Sequence, residues 1–209
     1  MSAIKKKAKT KWILIAGCLG IFIVCALYLL SPFPVKDVNS ISLPDKFDLP
    51  INTGFERQGK NQCAGFSTAF VLRSFDQKAK GIDVYTGIPY KIPISGYVLP
   101  KGVVTYLQAQ GFTTNLLRGD LGSLKSRLVQ GGNPVIVLIG NGLLWQHYMT
   151  LVGYDNEKHE LHFFDSGRDT DENAELPGNR TMTEEYFSGW WNNGLPIFNH
   201  IYITVEEAD

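Results

Sequence analysis

Cys63 is the only cysteine outside an N-terminal apolar run, and it stands where the sequence turns helical. In RQGKNQCAGFSTAFVLRSF, residues 57–75, apolar side chains recur at Phe66, Ala69, Phe70, Leu72 and Phe75. That spacing predicts a helix with a wide buried face, opening at Cys63. Free backbone N–H groups and the helix dipole at the first turn would stabilise a thiolate. Gln58 is a side-chain amide that could donate to a developing oxyanion beside the backbone N–H of Cys63. Gln62 is its rival, although an immediate neighbour usually points away from the nucleophile. The plainer reading of Cys63 is a small core cysteine.

A thiol nucleophile needs a base, and the base needs an orienting group. The chain has four histidines. His159 lies in the charged turn NEKHE and reads as solvated, and His200 and His162 fall within strands. His147 opens a strand after WQ and before an apolar run, where its ring can sit at the rim of a sheet, so it is the expected base. Asp165 ends the next strand. In a hairpin turning at 155–159, residues 147 and 165 share the open end, so the Asp165 carboxylate can fix the imidazole's tautomer and orientation. The structural alternative for Asp165 is the start of a DSG turn. Trp145, Trp190 and Trp191 are either core or the lining of a groove.

The elements needed to position these groups are legible. The helix from Cys63 is expected to run to about Lys80, with Gly81 as its cap. Residues 82–100 read as an irregular connection, 101–111 as a short helix, 112–117 as a strand, and 120–130 as a helix capped by Asp120. PVIVLIG, 134–140, is a β-branched run typical of a central strand. HYMTLVGYD, 147–155, and ELHFFD, 160–165, form a hairpin. KFDLPI is a short strand or arm, 52–54 a turn, and 166–180 a polar loop. Thr181 with Glu184 resembles a capping box before EEYFSGWW, and 199–207 is a final strand. Helices first and a mostly antiparallel sheet afterwards give an α+β domain of two segregated layers.

The formal net charge is zero and 19% of residues are charged, so nothing points to nucleic acid. No paired-cysteine or HExxH pattern is present, and neither metal nor cofactor is expected. Residues 1–11 form a basic tail containing KKKAKTK, followed by an uncharged run at 12–30. As a helix that run would cover roughly 28 Å, close to a bilayer core. The lysine flank orients the N-terminus to the cytoplasm. The expected organisation is a tail (1–11), a transmembrane signal anchor (12–30), an extended linker (31–45) and an extracytoplasmic domain (46–209). A cleaved signal peptide and a lipoprotein signal with Cys18 as acceptor are the alternatives.

Gln58, Cys63, His147 and Asp165, in that order, resemble the papain-like cysteine peptidases. QGKNQCAGFSTAF matches their pattern of a Gln, a short Gly-containing loop and a Cys opening a long helix. LVQGGNPVIVLIG, WQHYMTLVGYD and LHFFDSG, with the helix KGVVTYLQAQG ahead of them, are similar to one branch, the bacteriocin-leader-processing (double-glycine) peptidases and their standalone relatives. The likeness covers about residues 46–205. It implies a papain-like domain with Cys63 as nucleophile, His147 as base, Asp165 as orienting acid and Gln58 as oxyanion donor, acting on a peptide or protein substrate. Ala64 stands where the family usually has Gly, and the Gln-to-Cys gap is one residue shorter. A catalytically inactive peptide-binding relative, or another thiol acyl-transfer enzyme such as a cell-wall amidase or a transglutaminase-like protein, would carry the same residues.

Overall fold

In the computed structural model, which describes residues 2–50, 54–142, 145–168, 178–192 and 197–208, the elements follow in the order α1 (Ser2–Leu30), β1 (Val35–Lys36), β2 (Lys46–Asp48), α2 (Cys63–Ser74), α3 (Gly81–Gly87), α4 (Pro100–Ala109), β3 (Phe112–Arg118), α5 (Leu121–Gly131), β4 (Val135–Asn141), β5 (Trp145–Asp155), β6 (Glu160–Phe164), β7 (Arg180–Thr183), α6 (Glu184–Trp191) and β8 (Ile201–Glu207). Two compact units result, Met1–Pro32 and Phe33–Asp209. The expected turn at Asn52 and Thr53, and most of the polar loop after Ser166, lie outside the described residues.

The first unit is built on α1. Trp12, Ile21, Phe22 and Val24 are exposed along it. Among the described residues no helix is long and apolar enough to cross a membrane, so the expected anchor at 12–30 finds no support there.

The second unit is organised by its sheet, whose strands run in the order β1-β3-β8-β4-β5-β6-β7. β1 joins β3 in parallel, and the other pairings are antiparallel. β2 pairs with the far end of β5, on residues 153–155. The apolar run at 135–140 is buried throughout as β4, because both faces of the sheet are covered. On one face, Leu124 and Leu128 of α5 and Phe187 and Trp191 of α6 pack on Val135, Val137, Ile139, Met149 and Leu151. On the other, Phe70 of α2 packs with Val152 and Phe164, its ring stacked on Phe164 at 4.1 Å. The domain is therefore α+β in three layers, where two were expected. α5 and α6 are amphipathic and bury their apolar stripes on the face opposite α2.

Three local expectations are corrected. The Cys63 helix stops at Ser74, because the chain turns left-handed at Asp76 (φ 58°) and the Arg73 guanidinium is drawn to Glu56 and the Ala79 carbonyl. Gly81 then opens α3 instead of capping α2; a Cβ there would lie 2.4 Å from the Phe66 ring. Thr183, not Thr181, caps α6 by accepting from the Tyr186 N–H, because the helix begins at Glu184 and Thr181 lies two residues further back in β7.

The stretch expected as a linker, 31–45, belongs to the second unit from Phe33 onward. Asp37 explains this. Its carboxylate is buried, accepts from Arg127 Nε and Nη2 at 2.8 and 2.9 Å, and accepts from the Tyr202 hydroxyl at 2.6 Å. Its backbone N–H donates to the Arg118 carbonyl. Downstream, the Pro44 carbonyl accepts from Tyr154 and Asn156.

Candidate active site

Cys63 is the first residue of α2 and is buried. No side chain caps the helix at Gln62, so the first N–H groups, that of Cys63 among them, stay available. α2 is held in place at close quarters. A Cβ on Gly65 would fall 2.4–2.6 Å from the Tyr85 backbone and Cβ, so only glycine admits α3 there. One turn after Cys63, the buried Ser67 hydroxyl donates to the Tyr148 carbonyl at 3.1 Å. That bond ties the cysteine helix to the residue following His147.

His147 lies near the start of β5, and its side chain is nearly buried. Nε2 meets Asp165 Oδ1 at 2.6 Å, and the Cys63 side chain is near enough to act on the charge of the imidazole. Burial alone would lower the histidine's pKa. The Asp165 carboxylate and the Cys63 side chain overcome this and raise it to about 10. For Asp165, burial pushes upward, and the bonds from His147, Arg180 and the Gly167 N–H hold the carboxyl well below the usual range.

The hairpin register brings these two side chains together. From the turn, Asp155 pairs with Glu160 and Gly153 with His162; beyond Val152 the register shifts, so that Leu151 pairs with Phe163 and Thr150 with Phe164. In the first register Asp165 would face Thr150, an odd number of positions from His147 and hence on the opposite face. After the shift it lies across from Met149, on the His147 face.

Arg180, Asn179 and Ser166 complete the surroundings of Asp165, and the sequence reading did not single them out. Arg180 Nη1 donates to Asp165 Oδ2 at 2.6 Å. The Asp165 N–H donates to Asn179 Oδ1, and Asn179 Nδ2 returns a bond to the Asp165 carbonyl. These partners follow a polar stretch and start an edge strand, so no periodicity marks them. Ser166 links to the loop before Cys63: its carbonyl accepts from the Gln58 N–H at 2.9 Å, and its hydroxyl donates to Gln58 Oε1 at 2.8 Å. Gln58 Nε2 donates to the Gly59 carbonyl at 3.2 Å and keeps a second N–H. Gln62 turns its Oε1 back to the Gly59 N–H.

The other histidines have separate places. His159 is exposed, His162 Nδ1 contacts Asp48 at 2.6 Å, and His200 packs on Trp191. Trp191 is core, whereas Trp145 is 39% exposed and stacks on His147. Among the described residues, no group of three or more His, Cys, Asp and Glu side chains is placed to hold a metal ion.

No family model matches this sequence, and no curated protein matches it. Solved structures do. The peptidase domain of Streptococcus ComA, a bifunctional ABC transporter involved in a quorum-sensing pathway, superposes with a TM-score of 0.52 at 16% identity, over 74% of this chain and 97% of its own. A double glycine motif protease from an AMS/PCAT transporter, in complex with the leader peptide, gives 0.51 at 12%, over 77% and 94%. Xylellain, a cysteine protease from Xylella fastidiosa, gives 0.54 at 14%, over 85% and 96%. The fold of this chain is that of papain-like cysteine peptidase domains.

Proposed function

We propose that the domain is a thiol peptidase in which Cys63 is the nucleophile, His147 the acid–base group and Asp165 the orienting acid. The observation that carries this reading is the His147 imidazole, bound to the Asp165 carboxylate at 2.6 Å and raised in pKa by that carboxylate and by the Cys63 side chain near it. The Cys63 thiolate attacks a peptide carbonyl carbon, and the oxyanion forms against the Cys63 N–H and the free N–H of the Gln58 amide. On collapse the C–N bond breaks, and His147 gives its proton to the departing amine, leaving a thioester. His147 then takes a proton from water, the resulting hydroxide attacks the thioester, and the C–S bond breaks to release the acid and restore the thiolate. A peptide substrate is favoured by the neighbouring fold whose structure contains a leader peptide.

We further propose that residues 12–30 anchor the domain to the cytoplasmic membrane with the domain outside. The support is the uncharged run behind a lysine-rich tail and the exposed apolar side chains of α1.

The deciding experiment is Cys63→Ala assayed for hydrolysis of an unstructured protein or peptide pool. Turnover should vanish while circular dichroism and thermal unfolding change little. Full turnover in that variant would remove Cys63 from the chemistry and end the peptidase reading.

A further inference from the structure

From His147 an aromatic row leads to α6. Trp145 stacks on the imidazole with centroids 5.9 Å apart, Trp190 meets Trp145 edge-on at 5.3 Å, and Tyr186 meets Trp190 at 6.4 Å. At the end of the row the tip of β4 and the outer side of α6 enclose a crevice of about 660 Å³. Asn141, Glu185, Tyr186 and Trp190 are among its walls. Tyr186 is 53% exposed, a poor use of a large ring unless something covers it.

The two acids that open α6 are used differently. Glu184 turns inward, where it meets the buried Lys125 and lies near His159. Glu185 lines the crevice and has no ion-pair partner among the described residues. Both would serve the helix dipole equally well, so the dipole does not account for a carboxylate, unpaired among the described residues, that lines the same crevice as Tyr186 and Trp190. A carboxylate with Trp and Tyr rings is the chemistry that receives an ammonium or guanidinium group, through charge and through the ring quadrupoles.

The geometry points to this crevice as a subsite for a lysine or arginine side chain of the substrate, on the leaving-amine side of the scissile bond. The assignment of side rests on the peptidase reading. The group that protonates the amine is His147, and the crevice is joined to His147 through Trp145 and Trp190 on the α6 face of the sheet, whereas α2, which carries Cys63, packs on the other face. The substrate class that follows is a peptide carrying a cationic residue shortly after the cleaved bond.

Binding tests this without turnover. The full-length Cys63→Ala chain is titrated with acetyl-Gly-Ala-Arg-Ala-amide and with the matched Leu and Glu peptides, read by tryptophan fluorescence and calorimetry. The Arg peptide should bind about tenfold more tightly than the Leu peptide, and the Glu peptide most weakly. Glu185→Lys should invert the order of the Arg and Glu peptides. Glu185→Gln, which keeps the volume, should bring Arg and Leu close together. Equal affinities in the parent chain, no measurable binding of the Arg peptide at millimolar concentration, or an order unchanged in both Glu185 variants would overturn the assignment. Because these readouts do not involve Cys63, they fail or succeed separately from the hydrolysis experiment.

Discussion

His147 carries two opposed influences, and their balance sets how the site responds to pH. Burial disfavours the imidazolium, while Asp165 and the Cys63 side chain favour it strongly enough to keep it charged to about pH 10. A base raised in this way contributes stability that is complete below its unfolded value of about 6.5 and is lost as pH rises through about 10. Replacing Asp165 with Asn removes the carboxylate that raises the histidine and leaves Arg180 without its carboxylate partner. Asp165→Asn should lower kcat/KM by roughly 10²–10⁴-fold and move the alkaline limb of the pH–rate profile downward by a unit or more. An unmoved alkaline limb would mean that Asp165 does not set the histidine's charge.

At the scale of elements, the irregularity at Val152 decides which face Asp165 occupies. Val152 also packs on Phe70 and Phe164, so the extra residue is used in the core. Deleting Val152 removes the extra residue and, counted from the turn, still sets Asp165 opposite Met149, so the pair of His147 and Asp165 should be kept. Hydrolysis should persist in that variant at a lower melting temperature, since a buried side chain is lost, and loss of hydrolysis in a folded deletion variant would refute the register argument. Asp37 works similarly for β1. Its carboxyl is held at about 2: burial acts upward, and the Arg127 and Tyr202 bonds outweigh it. The sign follows, since stability from this group is present above its unfolded value near 3.8 and is lost as pH falls through about 2. Asp37→Asn breaks a largely buried ion pair. It should cost on the order of 3 kcal/mol, a drop of roughly 6–12 °C in Tm by calorimetry.

At the scale of the molecule, the boundary between units falls at Pro32, so 33–45 is part of the folded domain. A chain beginning at Phe33 should unfold at the temperature of the full-length protein's second unit, keep full hydrolysis and leave the membrane fraction. A chain beginning at Lys46 loses β1 and the Asp37 cluster, and should melt about 10 °C lower. Equal melting of the two truncations would return 33–45 to the role of a spacer.

The sequence by itself determined the sheet's central run, the Cys63 helix start, the hairpin of β5 and β6, and the order of Cys63, His147 and Asp165. These features are local: apolar periodicity, β-branched runs and turn residues write them directly into the chain. The third layer, the Asp37 anchorage, the Arg180 and Asn179 partners of Asp165 and the link from Gln58 to Ser166 were decided by tertiary structure. Each joins residues far apart in sequence or depends on a one-residue change of register. Single charged or polar residues in loops leave no periodic trace, and only the packed sheet selects which of them meet.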